Sequence, residues 1–192
     1  MIRLMQAADL SQVAQIENLV QTHPWSLQQF QESMQSYHST VIEQAGQVVG
    51  FCILQPVLDE ANLLLMAIHP SQQGKGLGYK LLDASLAQLK NNPLQVFLEV
   101  RESNQAAIAL YEKSGFHQID LRKNYYPKPD GGREHAIFLS AAPNSLNTQT
   151  VKRVLWRARF VLKWRKSLVS VCFHRDQKKY KPQINHHLED RR

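Results

Sequence analysis

The stretch Ile68 to Leu82, IHPSQQGKGLGYKLL, carries an apolar run through three glycines and a lysine into a helical pattern. Upstream, EANLLLMAIHP reads as a long apolar strand stopped by Pro70. Downstream, Leu77, Leu81, Leu82, Ala84, Leu86 and Leu89 recur at helical spacing, with an end expected near Asn91-Asn92-Pro93. A strand that runs into glycines and then a helix presents free backbone N–H groups at the positive end of the helix dipole, where phosphate oxygens fit. A Walker A loop needs Ser or Thr after Gly-Lys, but Gly76 follows Lys75. The dinucleotide fingerprint needs G-x-G-x-x-G after the first strand, whereas here the glycines fall at 74, 76 and 78, after the fourth. A bare strand-to-helix turn is the plain alternative.

Working outward, IRLM reads as a first strand and Asp9 as a cap for a helix through Val13, Ile16, Leu19 and Val20. HPWS (His23 to Ser26) breaks that helix, and Ser26 can cap a second one carrying Leu27, Phe30 and Met34. STVIEQAGQVVGFCILQPV is two β-rich runs joined at Ala45-Gly46-Gln47, a hairpin. LQVFLEV is a further strand, Asn104 opens a long helix closed by Gly115, and FHQIDLR and REHAIFLS are strands bracketing the turn-rich NYYPKPDGG. The order is one strand, two helices, three strands, helix, strand, helix, two strands. It predicts a mixed α/β fold with apolar strands covered by helices.

Hydrophobic residues make up 43% of the 192, enough for a packed core. Residues 1–145 hold 10 Lys and Arg against 13 Asp and Glu, net −3, and residues 146–192 hold 13 against 3, net +10. An acidic domain is thus followed by a strongly basic extension, and the pattern changes character after Ala141-Ala142-Pro143-Asn144. The predicted organisation is a domain over 1–142, a linker over 143–150 and the extension over 151–192. Cys52 and Cys172 are far apart, form no CxxC and suit a reducing cytosol. No apolar run reaches about 18 residues, and the N-terminus lacks the build of a signal peptide, so a cytoplasmic location is expected. The eight histidines form no HxH or HxxxH, and no metal is expected.

What remains of the loop is Gln73-x-x-Gly76-x-Gly78. It resembles the (Gln or Arg)-x-x-Gly-x-(Gly or Ala) pattern with which the GCN5-related N-acetyltransferases (GNAT superfamily) cradle the pyrophosphate of coenzyme A. The element order is that family's as well. LEVRESNQAAIALYEKSGF, NYYP, GGREHAI and HPWS together look like the RimI-like group, the bacterial ribosomal-protein-alanine N-acetyltransferases, over roughly residues 1–142. The resemblance implies a GNAT fold with a mostly antiparallel sheet, splayed middle strands and helices on both faces. It implies acetyl-CoA as co-substrate and, as acceptor, the N-terminal alanine of the eighteenth small-subunit ribosomal protein. It implies that Gln73, Gly74, Lys75, Gly76, Leu77 and Gly78 hold the pyrophosphate. The backbone of Met66, Ala67 and Ile68 would pair with the pantetheine arm like an added strand.

The chemistry requires a neutral amine to attack a thioester, and a peptide α-ammonium has a pKa of about 7.7–8.0. In LQVFLEV, Leu94, Val96, Leu98 and Val100 alternate with Gln95, Phe97 and Glu99, so a lone acid sits near the end of one strand face. Glu99 is the candidate base, directly or through water. A solvent-facing glutamate is the alternative. The leaving thiolate, whose thiol pKa is about 8.5 by analogy with cysteine, can be protonated by a phenol of pKa near 10. Tyr111 lies two helical turns after Asn104 and is the candidate acid, or else a packed core aromatic. Asn104 can cap its helix and also hydrogen-bond the cofactor arm. Tyr125 and Tyr126 are expected at the rim where the acceptor enters.

In VKRVLWRARFVLKWRK (151–166), Val151, Val154, Leu155, Ala158, Val161 and Leu162 fall at helical spacing, with Lys152, Arg159, Lys163 and Lys166 on another side. Such a helix can contact RNA or an anionic membrane surface; the plainer alternative is a poorly ordered extension or one that docks on its own domain. The sequence therefore leaves three functions open: a monomeric N-terminal alanine acetyltransferase, an acetyltransferase for other N-termini or lysines, and a non-catalytic module using its basic tail.

Overall fold

The computed structural model describes residues 1–90 and 93–142. The expected linker over 143–150 and the basic extension, including the amphipathic stretch 151–166, lie outside the described residues. The elements are β1 (Ile2–Leu4), α1 (Leu10–Val20), α2 (Leu27–Ser36), β2 (His38–Gln44), β3 (Gln47–Val57), β4 (Glu60–Ile68), α3 (Leu77–Ala87), β5 (Gln95–Arg101), α4 (Gln105–Lys113), β6 (His117–Pro127) and β7 (Arg133–Ala141). Their order is the one the sequence predicts. The strands form one seven-stranded sheet, β1-β2-β3-β4-β5-β7-β6. Every neighbouring pair is antiparallel except β4 with β5. No helix among the described residues is long and apolar enough to cross a membrane.

Local chemistry explains most boundaries. Ser26 and Gln29 form a reciprocal capping box at the start of α2, with N–H···O distances of 3.3 and 2.8 Å. Asp9, in contrast, does not cap α1. Its carboxylate accepts from the Gln6 backbone N–H at 2.8 Å and from Arg3 at 2.6 and 2.9 Å. Arg3 also donates to Glu43 at 3.1 Å, so β1 is fastened to β2 and to the turn before α1. The helix α3 ends at Ala87, short of the asparagines, because the chain tightens there and turns Leu89 into the core. The strand β6 runs through NYYP to Pro127, leaving a shorter turn than the sequence suggests. A bulge between Arg122 and Tyr126 accommodates it, with Asn124 in the left-handed region at φ 51°. The backbone is held by the neighbouring strand: Arg133 donates to the carbonyls of Asn124 and Tyr125, both at 2.6 Å.

Two apolar layers cover the sheet. On one face, α3 and α4 bury Leu77, Leu81 and Leu82 against Cys52, Leu54, Leu63, Val96, Leu98 and Val100. On the other, α1 and α2 bury Val13, Ile16 and Phe30 against Val41, Phe51, Ile53, Leu65 and Ala67. The strand β4 serves both layers with a change of phase. Its pairing with β3 runs Leu54 with Leu63 and then Ile53 with Leu65, so Leu64 is an extra residue. Before that bulge Ala61 and Leu63 face α3 and α4; after it Met66 and Ile68 do. Side chains alternate strictly in a regular strand, so one extra residue reverses which parity faces which layer.

Glu17 of α1 is almost wholly buried, at 1% exposure. Neither carboxyl oxygen has a well-formed hydrogen bond, although the backbone N–H of Trp25 approaches as a weak donor. Burial pushes its carboxyl up to about 7 from an ordinary 4.5. The folded state therefore binds this proton more tightly than the unfolded chain. The associated stability is complete below about pH 4.5 and is lost as pH rises through about 7. Glu17→Gln, neutral at every pH, is expected to gain stability over the wild type between pH 5 and pH 8, on the order of 3 kcal/mol at the upper end. Urea unfolding of both proteins across that range checks this, and parallel stability curves would refute it.

Candidate active site

The site begins where the sheet opens. The strands β4 and β5 pair from Glu60 with Gln95 to Leu63 with Leu98, and no further. Beyond that point β4 continues to Ile68 and β5 to Arg101. Their C-terminal halves part into a gap, with the backbone edge of Leu65 to Ile68 along one side. Met66, Ala67 and Ile68 thus lie on the edge the sequence singled out. The Ile68 carbonyl accepts from Gln73 Nε2 at 2.9 Å, which ties the loop to the end of the strand.

The glycine loop follows directly. Gly74 and Gly76 sit at φ 73° and 74°, a conformation that side chains with a Cβ rarely adopt. Gly76 is the N-cap of α3 and provides no side-chain acceptor. The N–H groups of Leu77, Gly78 and Tyr79 have no carbonyl behind them by helix geometry and point out of the helix start. Gly78 has a second reason to lack a side chain, since a Cβ there would meet Leu110 Cδ1 at 2.6 Å and Met66 Cε at 3.3 Å. This lets α3 and α4 approach closely beside the gap. Lys75 is exposed and folds back, its Nζ donating to Ser71 O at 3.0 Å and Gln72 Oε1 at 2.8 Å. It braces the loop.

Glu99 and Tyr111 flank the gap from opposite faces of the sheet. Val96, Leu98 and Val100 face α3 and α4, so Glu99 faces the other way. Tyr111 belongs to the α3–α4 layer and packs on Phe116 with ring centroids 5.8 Å apart. Burial pushes the Tyr111 phenol well above its ordinary value, with Cys52 and Tyr126 adding to the shift. Its hydroxyl therefore lies within electrostatic reach of β3 on one side and β6 on the other, and it keeps its proton at every working pH. Burial also raises the Glu99 carboxyl, while Arg122 and a hydrogen bond from Tyr125 hold it back. The net shift is upward. Asn104 caps α4, its Oδ1 accepting from Ala107 N at 3.2 Å.

The NYYP bulge brings both tyrosines to Glu99. Tyr125 and Tyr126 are edge-on at 5.0 Å, and the nearby Glu99 charge adds to the burial that raises both phenols. Arg101 holds this rim in place: it lies over the Tyr126 ring at 4.5 Å and donates to Pro127 O at 3.1 Å and to Glu134 Oε1 at 2.7 Å. Burial alone would raise the Glu134 carboxyl, but hydrogen bonds from Ser103 and Arg101 outweigh it and keep it ionised. Sequence reasoning missed Arg101, Glu134 and Arg122. Arg122 pairs with Glu99 at 2.5 Å from the neighbouring face of β6. Its signal was faint: a charged residue in DLRKNYYP, two positions after Asp120, on the strand face that meets Glu99 only once β7 lies between them.

The site is thus a parted pair of parallel strands with an uncapped helix start at its mouth and a carboxyl and a phenol on its two sides. Residues 6–116 match the model of the acetyltransferase (GNAT) family. A [ribosomal protein bS18]-alanine N-acetyltransferase from Haemophilus influenzae is 43% identical over 141 residues, 72% of this chain and 96% of that protein. Its Escherichia coli counterpart is 40% identical over 141 residues, 72% of this chain and 95% of its own length. The crystal structure of the ribosomal-protein-S18-alanine N-acetyltransferase from Escherichia coli superposes with a TM-score of 0.69 at 40% identity, covering 74% of this chain and 92% of that one. The chain belongs to the GNAT family and is an acetyltransferase, and its co-substrate is the acetyl-CoA that such enzymes use.

Gly76 tests the loop. A Cβ there meets nothing within 4 Å, so only its left-handed backbone resists substitution. Gly76→Ala is expected to fold with a loss of about 1–2 kcal/mol and to raise KM for acetyl-CoA about tenfold, with kcat changed less. Steady-state kinetics check this, and an unchanged KM would count against the cradle.

Proposed function

We propose that this chain moves the acetyl group of acetyl-CoA to the α-amino group of an N-terminal alanine, that of the eighteenth small-subunit ribosomal protein. The reading is supported above all by Glu99 and Tyr111 standing on opposite faces of the β4–β5 gap, beside the uncapped start of α3. The names borne by relatives at 40–43% identity over nearly their whole length point to the acceptor.

In this reading the N–H groups of residues 76–79 hold the pyrophosphate, and the exposed edge of Met66 to Ile68 pairs with the pantetheine arm. The thioester then lies in the gap, its leaving sulfur toward Tyr111 and its carbonyl open to attack from the Glu99 side. Glu99 takes a proton from the incoming α-ammonium, directly or through one water, and the neutral amine attacks the carbonyl carbon. Backbone donors of the β4 edge steady the tetrahedral oxyanion. As the C–S bond breaks, Tyr111 delivers its proton to the thiolate. The burial that raises the Tyr111 phenol also raises a thiolate beside it, so the transfer is not made harder by the pocket. The products are the acetylated N-terminus and free coenzyme A, formed within one ternary complex. The Tyr125–Tyr126 rim narrows the entrance around the first residue of the acceptor.

A peptide set differing only at the first residue tests the acceptor. Alanine-headed peptide should release free thiol fastest, and equal turnover of lysine side chains or larger first residues would overturn the assignment. Glu99→Gln is expected to lower kcat/KM by about 10²–10⁴, most severely below about pH 7, where the acceptor amine is least often neutral. A loss equal at all pH values would remove Glu99 from the role of base.

A further inference from the structure

Arg122 has no part in the steps above, yet it is ion-paired with the candidate base. Its Nη1 lies 2.5 Å from Glu99 Oε1. The guanidinium is held over two rings, Tyr125 and Phe138, each at 5.4 Å. Phe138 sits directly across the β5–β7 ladder from Glu99 and stacks on Phe97 at 5.8 Å. This aromatic shelf fixes the arginine where a planar cation is best held. The Arg122 side chain is 31% exposed and that of Glu99 16%, so the pair opens toward solvent, on the face away from Tyr111.

We propose that Arg122 is a positioning residue for the reaction: it is the resident counter-ion that keeps the Glu99 carboxylate ionised and aimed into the gap until the acceptor's α-ammonium arrives as a competing cation. The proposal rests on Glu99 being the base. Burial favours the neutral acid, which cannot take a proton, and the arginine opposes it. Among the other groups facing Glu99, Tyr125 supports the carboxylate with a hydrogen bond but brings no positive charge. Tyr125 and Tyr126 from β6 stay neutral because both phenols are raised. The strand β7 presents Phe138 at the paired position. Arg101, on the same strand as Glu99, is engaged by Glu134 and the Pro127 carbonyl.

The test uses the full chain with Arg122→Gln and Arg122→Lys. Two quantities are followed against pH: kcat/KM for an alanine-headed peptide at saturating acetyl-CoA, and the ¹³C carboxyl resonance of Glu99, assigned by its absence in Glu99→Gln. In Arg122→Gln the resonance is expected to titrate at higher pH. The rate should fall about tenfold on the acid side of the Glu99 titration, with the deficit closing on its alkaline side, because on the acid side only the ionised fraction of Glu99 is active and that fraction drops about tenfold when its titration moves up by one pH unit. Arg122→Lys should recover most of the loss. A Glu99 resonance that titrates as in the wild type, or a rate lowered equally at every pH, would overturn the proposal and reduce Arg122 to packing. If the resonance moves while the kinetic limb stays, the counter-ion pair stands and Glu99 is not the base.

Discussion

The fold turns on the place where β4 and β5 stop pairing. Parallel neighbours would ordinarily continue their ladder, and leaving it costs backbone hydrogen bonds unless another partner takes them. Here the parting begins at Leu63 and Leu98, beside the extra residue Leu64. The bulge keeps β4 paired with β3 while turning its far edge away from β5, and the apolar layers on both faces hold the two halves apart. The edge from Leu65 to Ile68 thereby runs beyond the β4–β5 ladder.

Everything chemical is placed relative to that gap. The helix α3 starts at its mouth because the glycines let the chain turn there, and α4 comes close because Gly78 has no side chain in the way of Leu110. The phenol of Tyr111 and the carboxylate of Glu99 reach the gap from different layers of the molecule. Both are half-buried, and burial moves both in the same direction. The phenol thereby keeps its proton. For the carboxylate, burial favours the neutral acid and Arg122 opposes it.

The element order, the glycine turn into α3 and the Asn104 cap of α4 were legible in the sequence because each rests on local pattern: alternation in LQVFLEV, helical spacing after Asn104, glycines between a strand and a helix. What escaped depends on pairing across the sheet. The bulge at Leu64 is invisible in an all-leucine run, where either parity reads as core. The Arg122–Glu99 pair joins residues on strands separated by β7. Asp9 reads as a helix cap until Arg3 is brought beside it by β1. Glu17 sits in a polar-looking stretch, and only the packing of α1 against the sheet makes it a buried acid. NYYP reads as loop because Asn and Pro signal turns, and the stretch is drawn into β6 by Arg133 on the adjacent strand.

The most direct measurement is a crystal structure with a bisubstrate compound, coenzyme A joined through an acetyl bridge to the nitrogen of an alanine-headed peptide. The sulfur should lie between the parted strands within hydrogen-bond distance of the Tyr111 hydroxyl, with the bridged nitrogen on the Glu99 side. A sulfur outside the gap, or a nitrogen and a sulfur both on the Tyr111 face, would contradict the placement of acid and base on opposite sides of the sheet.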